Sequence, residues 1–100
     1  MAILTEEEFS KNVGTEFYAS TGEGEVKLTL VEVKPYMPDA ARDQKMERFS
    51  LFFDGPADEF LPQQNFNMRH EGMGGFELFL VPIKGDQNGF RYEAVFNYYK

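Results

Sequence analysis

Few side chains in this sequence carry chemistry, and their spacing limits what they can do. The single histidine, His70, stands beside Glu71. Adjacent residues of a strand point to opposite faces, so the two do not converge on one ion or one proton. No cysteine and no second imidazole exist to complete a transition-metal site. His70 therefore reads as a structural histidine at a strand end, hydrogen-bonded or exposed. Asp54-Gly55-Pro56-Ala57-Asp58-Glu59 gathers three carboxylates around a Gly-Pro turn. Such oxygens suit Ca²⁺ in kind, but the spacing is not that of an EF-hand loop, and the segment reads as a solvated turn. Gly72-Met73-Gly74-Gly75 has the glycines of a phosphate cradle without the Lys-Ser or Lys-Thr that completes one. It reads as a tight turn into a strand. Ser10, Ser20 and Ser50 lack a neighbouring base and a GxSxG elbow. A pair of carboxylates acting together stays open to an acidic chain. No residue is assigned as catalytic, metal-binding or cofactor-binding, and the chain reads as a non-enzyme.

The bulk properties narrow the class further. One hundred residues make a single domain, 1–100, and at 11.6 kDa there is room for one modest core. A hydrophobic fraction of 42%, with eleven Phe and five Tyr, is far too apolar for a disordered chain. Without cysteine, stability must come from packing, chiefly of aromatic rings. Ten Lys and Arg scattered among seventeen Asp and Glu give a net charge of −7. That balance argues against nucleic acid and against an anionic membrane surface. The opening MAILTEEEF has no basic leader, and no run approaches the ~18 apolar residues of a membrane span. A cytoplasmic location at synthesis is expected.

The apolar pattern predicts one helix and six strands. Thr5 caps a helix of about two turns, with Glu8 closing a capping box, Leu4 stapled to Phe9, Phe9 and Val13 on one face, and Gly14 as the stop. Thr15–Ser20 alternates with Phe17 and Ala19 on one face. Thr21–Gly24 is a turn. Glu25–Val33 keeps one phase through Val26, Leu28 and Leu30, then changes to Val31 and Val33, which predicts a β-bulge near Leu30-Val31 or cover on both faces. Lys34–Glu47, with two prolines and five charges from Asp39 onward, reads as a loop. Arg48–Asp54 alternates with Phe49, Leu51 and Phe53 facing one way. Gln64–His70 places Phe66 and Met68 together. Gly75–Ile83, GFELFLVPI, is apolar on both faces and predicts a central strand whose Phe79 is buried. Lys84–Gly89 is a hairpin loop, and Phe90–Tyr98 keeps Phe90, Tyr92, Ala94, Phe96 and Tyr98 in phase. Strands without intervening helices pair antiparallel, and burying so many rings requires a closed or layered sheet. The expectation is a mainly β, partly open six-stranded barrel with one short N-terminal helix, a sandwich being the alternative.

Phe49-x-Leu51-x-Phe53-x-Gly55-Pro56, then Leu61-Pro62-Gln63-x-x-Phe66-x-Met68-x-His70, Phe79-Leu80-Val81-Pro82-Ile83 and Tyr92-Glu93-Ala94-Val95-Phe96-Asn97 follow one another in order. With these motifs the chain resembles a family of short bacterial all-β domains of unknown function. The likeness covers the second half and extends to the helix and first strands, with a looser glycine-rich turn after His70. It implies a small β domain, bacterial or phage-related, that keeps company with phage-tail-like structural proteins or sits in a phage-like particle. It supplies no catalytic residue. The polar members of these motifs, Gln63, His70, Glu93 and Asn97, lie beside apolar positions. They read either as bridges between turns and strand ends or as one shared polar pocket.

Two functional classes follow. The leading one is a non-enzymatic protein-interaction or assembly module; the alternative is a small-molecule or carbohydrate-binding β-barrel. For the first, the expected contact surface is the loop with Tyr36, Arg42 and Lys45 and the end of the last strand with Tyr98 and Tyr99. Tyr18 adds a further ring to a possible binding face. The weakly guarded last strand predicts a protein partner or a weak homodimer through its edge.

Overall fold

The computed structural model describes residues 5–35 and 46–99, with the side chains of 5–35 and 49–96. The chain forms a short helix, α1 (Glu6–Ser10), and six strands, β1 (Glu16–Thr21), β2 (Gly24–Pro35), β3 (Met46–Gly55), β4 (Gln64–His70), β5 (Gly74–Asp86) and β6 (Gly89–Tyr99). All neighbouring strands are antiparallel, and the order β1-β2-β3-β6-β5-β4 returns to β1, closing the barrel. The cylinder is complete rather than partly open, and it is not a sandwich.

Two bulges make closure possible. The register of β2 on β3 shifts between Leu30 and Glu32, leaving Val31 as the extra residue where the sequence changes phase. β5 shifts against β6 between Pro82 and Lys84, leaving Ile83 extra. Bulges bend a strand and sharpen its twist. Bent in this way, β2 pairs first with β1 and then with β3. β5 pairs with β4 over Gly74–Leu80 and with β6 over Val81–Asp86.

A closed barrel has one interior, and only one phase of each strand enters it. The core takes Phe17 and Ala19 of β1, Val26, Leu28 and Leu30 of β2, Phe49, Leu51 and Phe53 of β3, Phe66 and Met68 of β4, Leu78 and Leu80 of β5, and Tyr92 and Ala94 of β6. This corrects the reading of GFELFLVPI as a strand covered on both sides. Phe79 and Ile83 are each 46% exposed, because their phase faces outward.

Helix α1 lies against β2 and β3 and delivers one side chain. Thr5 caps it, its Oγ1 accepting the Glu8 N–H at 3.2 Å, an arrangement that contributes about 1 kcal/mol. The helix is shorter than expected, with Lys11 as its C-cap, so Val13 falls in the following turn and is exposed. Leu4 lies outside the described residues. Gly14, at φ +90°, turns the chain so that its N–H reaches the Leu30 carbonyl at 2.7 Å. Phe9 is wholly buried and meets the rings of Phe17, Phe49, Phe76 and Phe96 at centroid distances of 5.5–6.2 Å.

At the other end, the segment after Gly55 crosses the barrel and buries Leu61, whose N–H donates to the Tyr92 hydroxyl at 2.9 Å. Gly55 is required here, since a Cβ would stand 2.7 Å from the Leu28 side chain and 3.2 Å from the Tyr92 ring. Other boundaries also move. β5 and β6 extend into the expected Lys84–Gly89 loop, leaving a two-residue turn, Gln87-Asn88. β2 and β3 take the ends of the expected Lys34–Glu47 loop, whose remainder, residues 36–45, lies outside the described residues.

The two phenylalanines give contrasting expectations. Phe9→Ala is expected to cost about 3–5 kcal/mol by emptying the aromatic cluster, whereas Phe79→Ala stays within about 1 kcal/mol. Chemical denaturation midpoints of the two variants check this, and equal losses would contradict the assignment of faces.

Candidate functional site

Among the described residues, the outward face of β3, β6 and β5, the surroundings of His70 and the closed end at Tyr92 each bring distant residues together.

The outward face arises from strand phase. Opposed residues in the ladders share a face, and the pairs Val81–Glu93, Glu93–Phe52 and Phe52–Glu32 form one row across four strands. Val95, Ser50 and Lys34 form the next row. Val95 is 59% exposed, and with Phe79, Val81, Ile83 and Phe52 it makes an apolar surface on the outside of the barrel. Beside it runs a groove of about 400 Å³ lined by Lys34, Ser50, Phe52, Glu93 and Val95. One border is fixed by Arg91, which grips both oxygens of Asp54 at 2.7 and 3.0 Å. Glu93 is half-buried within this surface and has no hydrogen bond or ion pair among the described residues.

His70 ends β4 inside the barrel, its ring 4.2 Å from that of Phe17. Nδ1 accepts the N–H groups of Gly72 and Met73, both at 3.0 Å, so it carries no proton. Nε2–H therefore donates to Thr15 Oγ1 at 2.9 Å, and that hydroxyl donates to the Asn12 carbonyl at 2.6 Å. The Asn12 side chain in turn donates to the Glu8 carbonyl at 2.8 Å. This chain of bonds ties the β4–β5 turn to the end of α1. Burial lowers the pKa of His70, the nearby Glu71 carboxylate opposing it weakly. Burial also raises the pKa of the Tyr92 phenol, while the Leu61 N–H works against that shift.

Of the alternative shared pocket, the structure does not bring Gln63, His70 and Glu93 together. Gln63 is exposed before the start of β4, and His70 lies at its other end, roughly 20 Å away at ~3.3 Å per residue. Glu93 faces outward on β6 while His70 faces the core, and the Asn97 side chain lies outside the described residues. His70 does act as a bridge between turns, as the simpler reading had it. Asp54 of the acidic turn is engaged by Arg91, and Asp58 and Glu59 are exposed. Tyr18 lies outward under the Arg69 guanidinium, 4.3 Å from its ring centre. Tyr36, Arg42 and Lys45, and the side chains of Tyr98 and Tyr99, are outside the described residues. As for the free edge expected of the last strand, β6 is paired on both sides from Gly89 to Glu93; from Ala94 onward its partner among the described residues is β3.

Sequence reasoning missed the roles of Thr15, Asn12 and Tyr92, and the exposure of the apolar outward phase. The signal for the last was present in Val95, an apolar residue out of phase with Tyr92, Ala94 and Phe96.

Among known proteins, residues 4–96 match the family described as Domain of unknown function (DUF6916). No curated protein and no solved structure matches the chain.

The His70 geometry fixes a pH dependence. Protonating Nδ1 would break two backbone hydrogen bonds, so the native state resists a proton that the unfolded chain accepts near the ordinary value of 6.5. Stability is then fully present above that pH and declines as pH falls below it, at most about 1.4 kcal/mol per pH unit for one group. His70→Asn offers the turn a non-titrating acceptor. Its unfolding free energy is expected to vary less than that of the wild type between pH 7.5 and 5, measured in urea; parallel profiles would contradict the assignment.

Proposed function

We propose that this chain, which belongs to the DUF6916 family, is a non-enzymatic interaction module that docks a protein partner through the outward face of β3, β6 and β5. The observation that carries this reading is the exposure of Phe79, Ile83 and Val95 together on a rigid sheet, beside the half-buried Phe52 and Val81. Several large apolar side chains exposed on one side of a small acidic domain are a mark of an interface. The barrel interior, by contrast, is filled by its own side chains, leaving the functional surface to the outside.

The alternative of a small-molecule or carbohydrate-binding barrel draws less support. A groove of about 640 Å³ lies at the barrel end between the β1–β2 turn and the segment around Leu61. Glu23, Asp58 and Glu59 line it together with the exposed Phe60, and no tyrosine contributes. A role beside phage-tail-like structural proteins, or within a phage-like particle, is a finer form of the module reading and rests on the sequence resemblance.

Co-purification from the native host tests the proposal. A stoichiometric protein is expected to accompany the wild-type chain and to be lost with Phe79→Ser combined with Val95→Ser, while the melting temperature of the barrel is retained. A partner indifferent to both substitutions would move the interface elsewhere. A rise in melting temperature with simple sugars, which any ligand selective for the native state produces, would favour the alternative.

A further inference from the structure

We infer that the partner on this face is a protein segment bringing a lysine or arginine to Glu93 between apolar side chains, and not a second copy of this chain; the inference rests on the docking reading above. Glu93 sits between Val81 and Phe52 in one cross-strand row, half-buried and without a charge partner among the described residues. A carboxylate in that position loses water when an apolar surface closes over it, and the cost is offset only by a cation or hydrogen-bond donors from the incoming side.

The charges around it point the same way. Asp54 and Arg91 neutralise one another in a bidentate pair. Glu32 and Glu93 flank Phe52, and Lys34 across the groove is the neighbouring cation. Glu93 is therefore the carboxylate at the apolar centre without an ion pair among the described residues, with Lys34 and Lys84 at its margins. A two-fold dimer centred on it would bring the same patch against itself, with both Glu93 carboxylates near the axis. Two copies at −7 each add to that repulsion. A complementary apolar and basic segment meets both requirements, because charged groups across an interface select partners by sign.

A random dodecapeptide display library is the probe, selected in parallel on the wild-type chain, Glu93→Gln, Glu93→Lys and the Phe79→Ser, Val95→Ser double variant. Circular dichroism and thermal melts establish that each bait is folded. Peptides enriched on the wild type are expected to carry Arg or Lys among apolar residues and to bind Glu93→Gln about tenfold more weakly. Glu93→Lys is expected to enrich Asp or Glu instead, and the double variant to retain none of the wild-type binders. Peptides lost on the double variant but indifferent to Glu93→Gln would overturn the cationic partner and leave the docking face standing. Peptides indifferent to the double variant, or no enrichment on the wild type, would overturn both. Sedimentation equilibrium closes the remaining case. A wild-type monomer is expected across concentration, and a dimer abolished by the double variant would assign the face to a second copy and overturn the inference.

Discussion

A six-stranded barrel is a tube with two mouths, and this one holds together because each mouth is covered by side chains delivered from outside the strands, Phe9 and Met73 at one and Leu61 at the other. Phe9 comes from a five-residue helix that could not persist alone in water, and its burial against Phe17, Phe49, Phe76 and Phe96 is what gives that helix a reason to form. Leu61 closes the other, its backbone held by the Tyr92 hydroxyl. In both cases the plug and its receptor are far apart in sequence. Local structure at α1 and around Leu61 is therefore a consequence of tertiary packing rather than a cause of it.

This explains what could be read from the sequence. Strand existence and phase were legible because alternation is local: Phe49, Leu51 and Phe53 enter the core as their spacing requires. The Leu30-Val31 bulge was legible because the phase change is written in the apolar residues. The second bulge, at Ile83, left no such trace in an unbroken apolar run. Nor could alternation say which face of β5 would be wet, since that depends on the sheet closing on itself. The His70 partner Thr15 lies 55 residues away, beyond any spacing argument. That Gln63, His70 and Glu93 lie apart depends on strand ends and on which phase of β6 turns outward, neither of which their spacing carries.

The outside of the barrel divides into two characters. Over β1, β4 and the first half of β2 it is polar: Lys27 pairs with Glu16, Arg69 with Glu25, and Asn65 and Asn67 are exposed. Exposed pairs of this sort contribute little to stability. Their effect is to keep that half hydrated and without affinity for apolar surfaces. Over β3, β6 and the second half of β5 the outward Phe52, Val81 and Val95 stand around Glu93, with the Asp54–Arg91 pair and Lys84 in the next row. The boundary falls along β4 and β5, where Asn65 stands opposite Phe79.

Closure is uneven around the cylinder. β3 and β6 are matched over ten residue pairs, but β1 meets β4 through two, Tyr18–Arg69 and Ala19–Met68. Arg69 reinforces this seam from outside, lying over Tyr18 and reaching Glu25 on the strand beyond. With two matched pairs the seam is the ladder with the fewest backbone bonds to lose. Its opening would turn the cylinder into an open sheet with β1 and β4 as bare edges, each ready to pair with another molecule. The thinnest joint of the cylinder thus lies on its hydrated side, away from the outward apolar side chains of β3, β6 and β5.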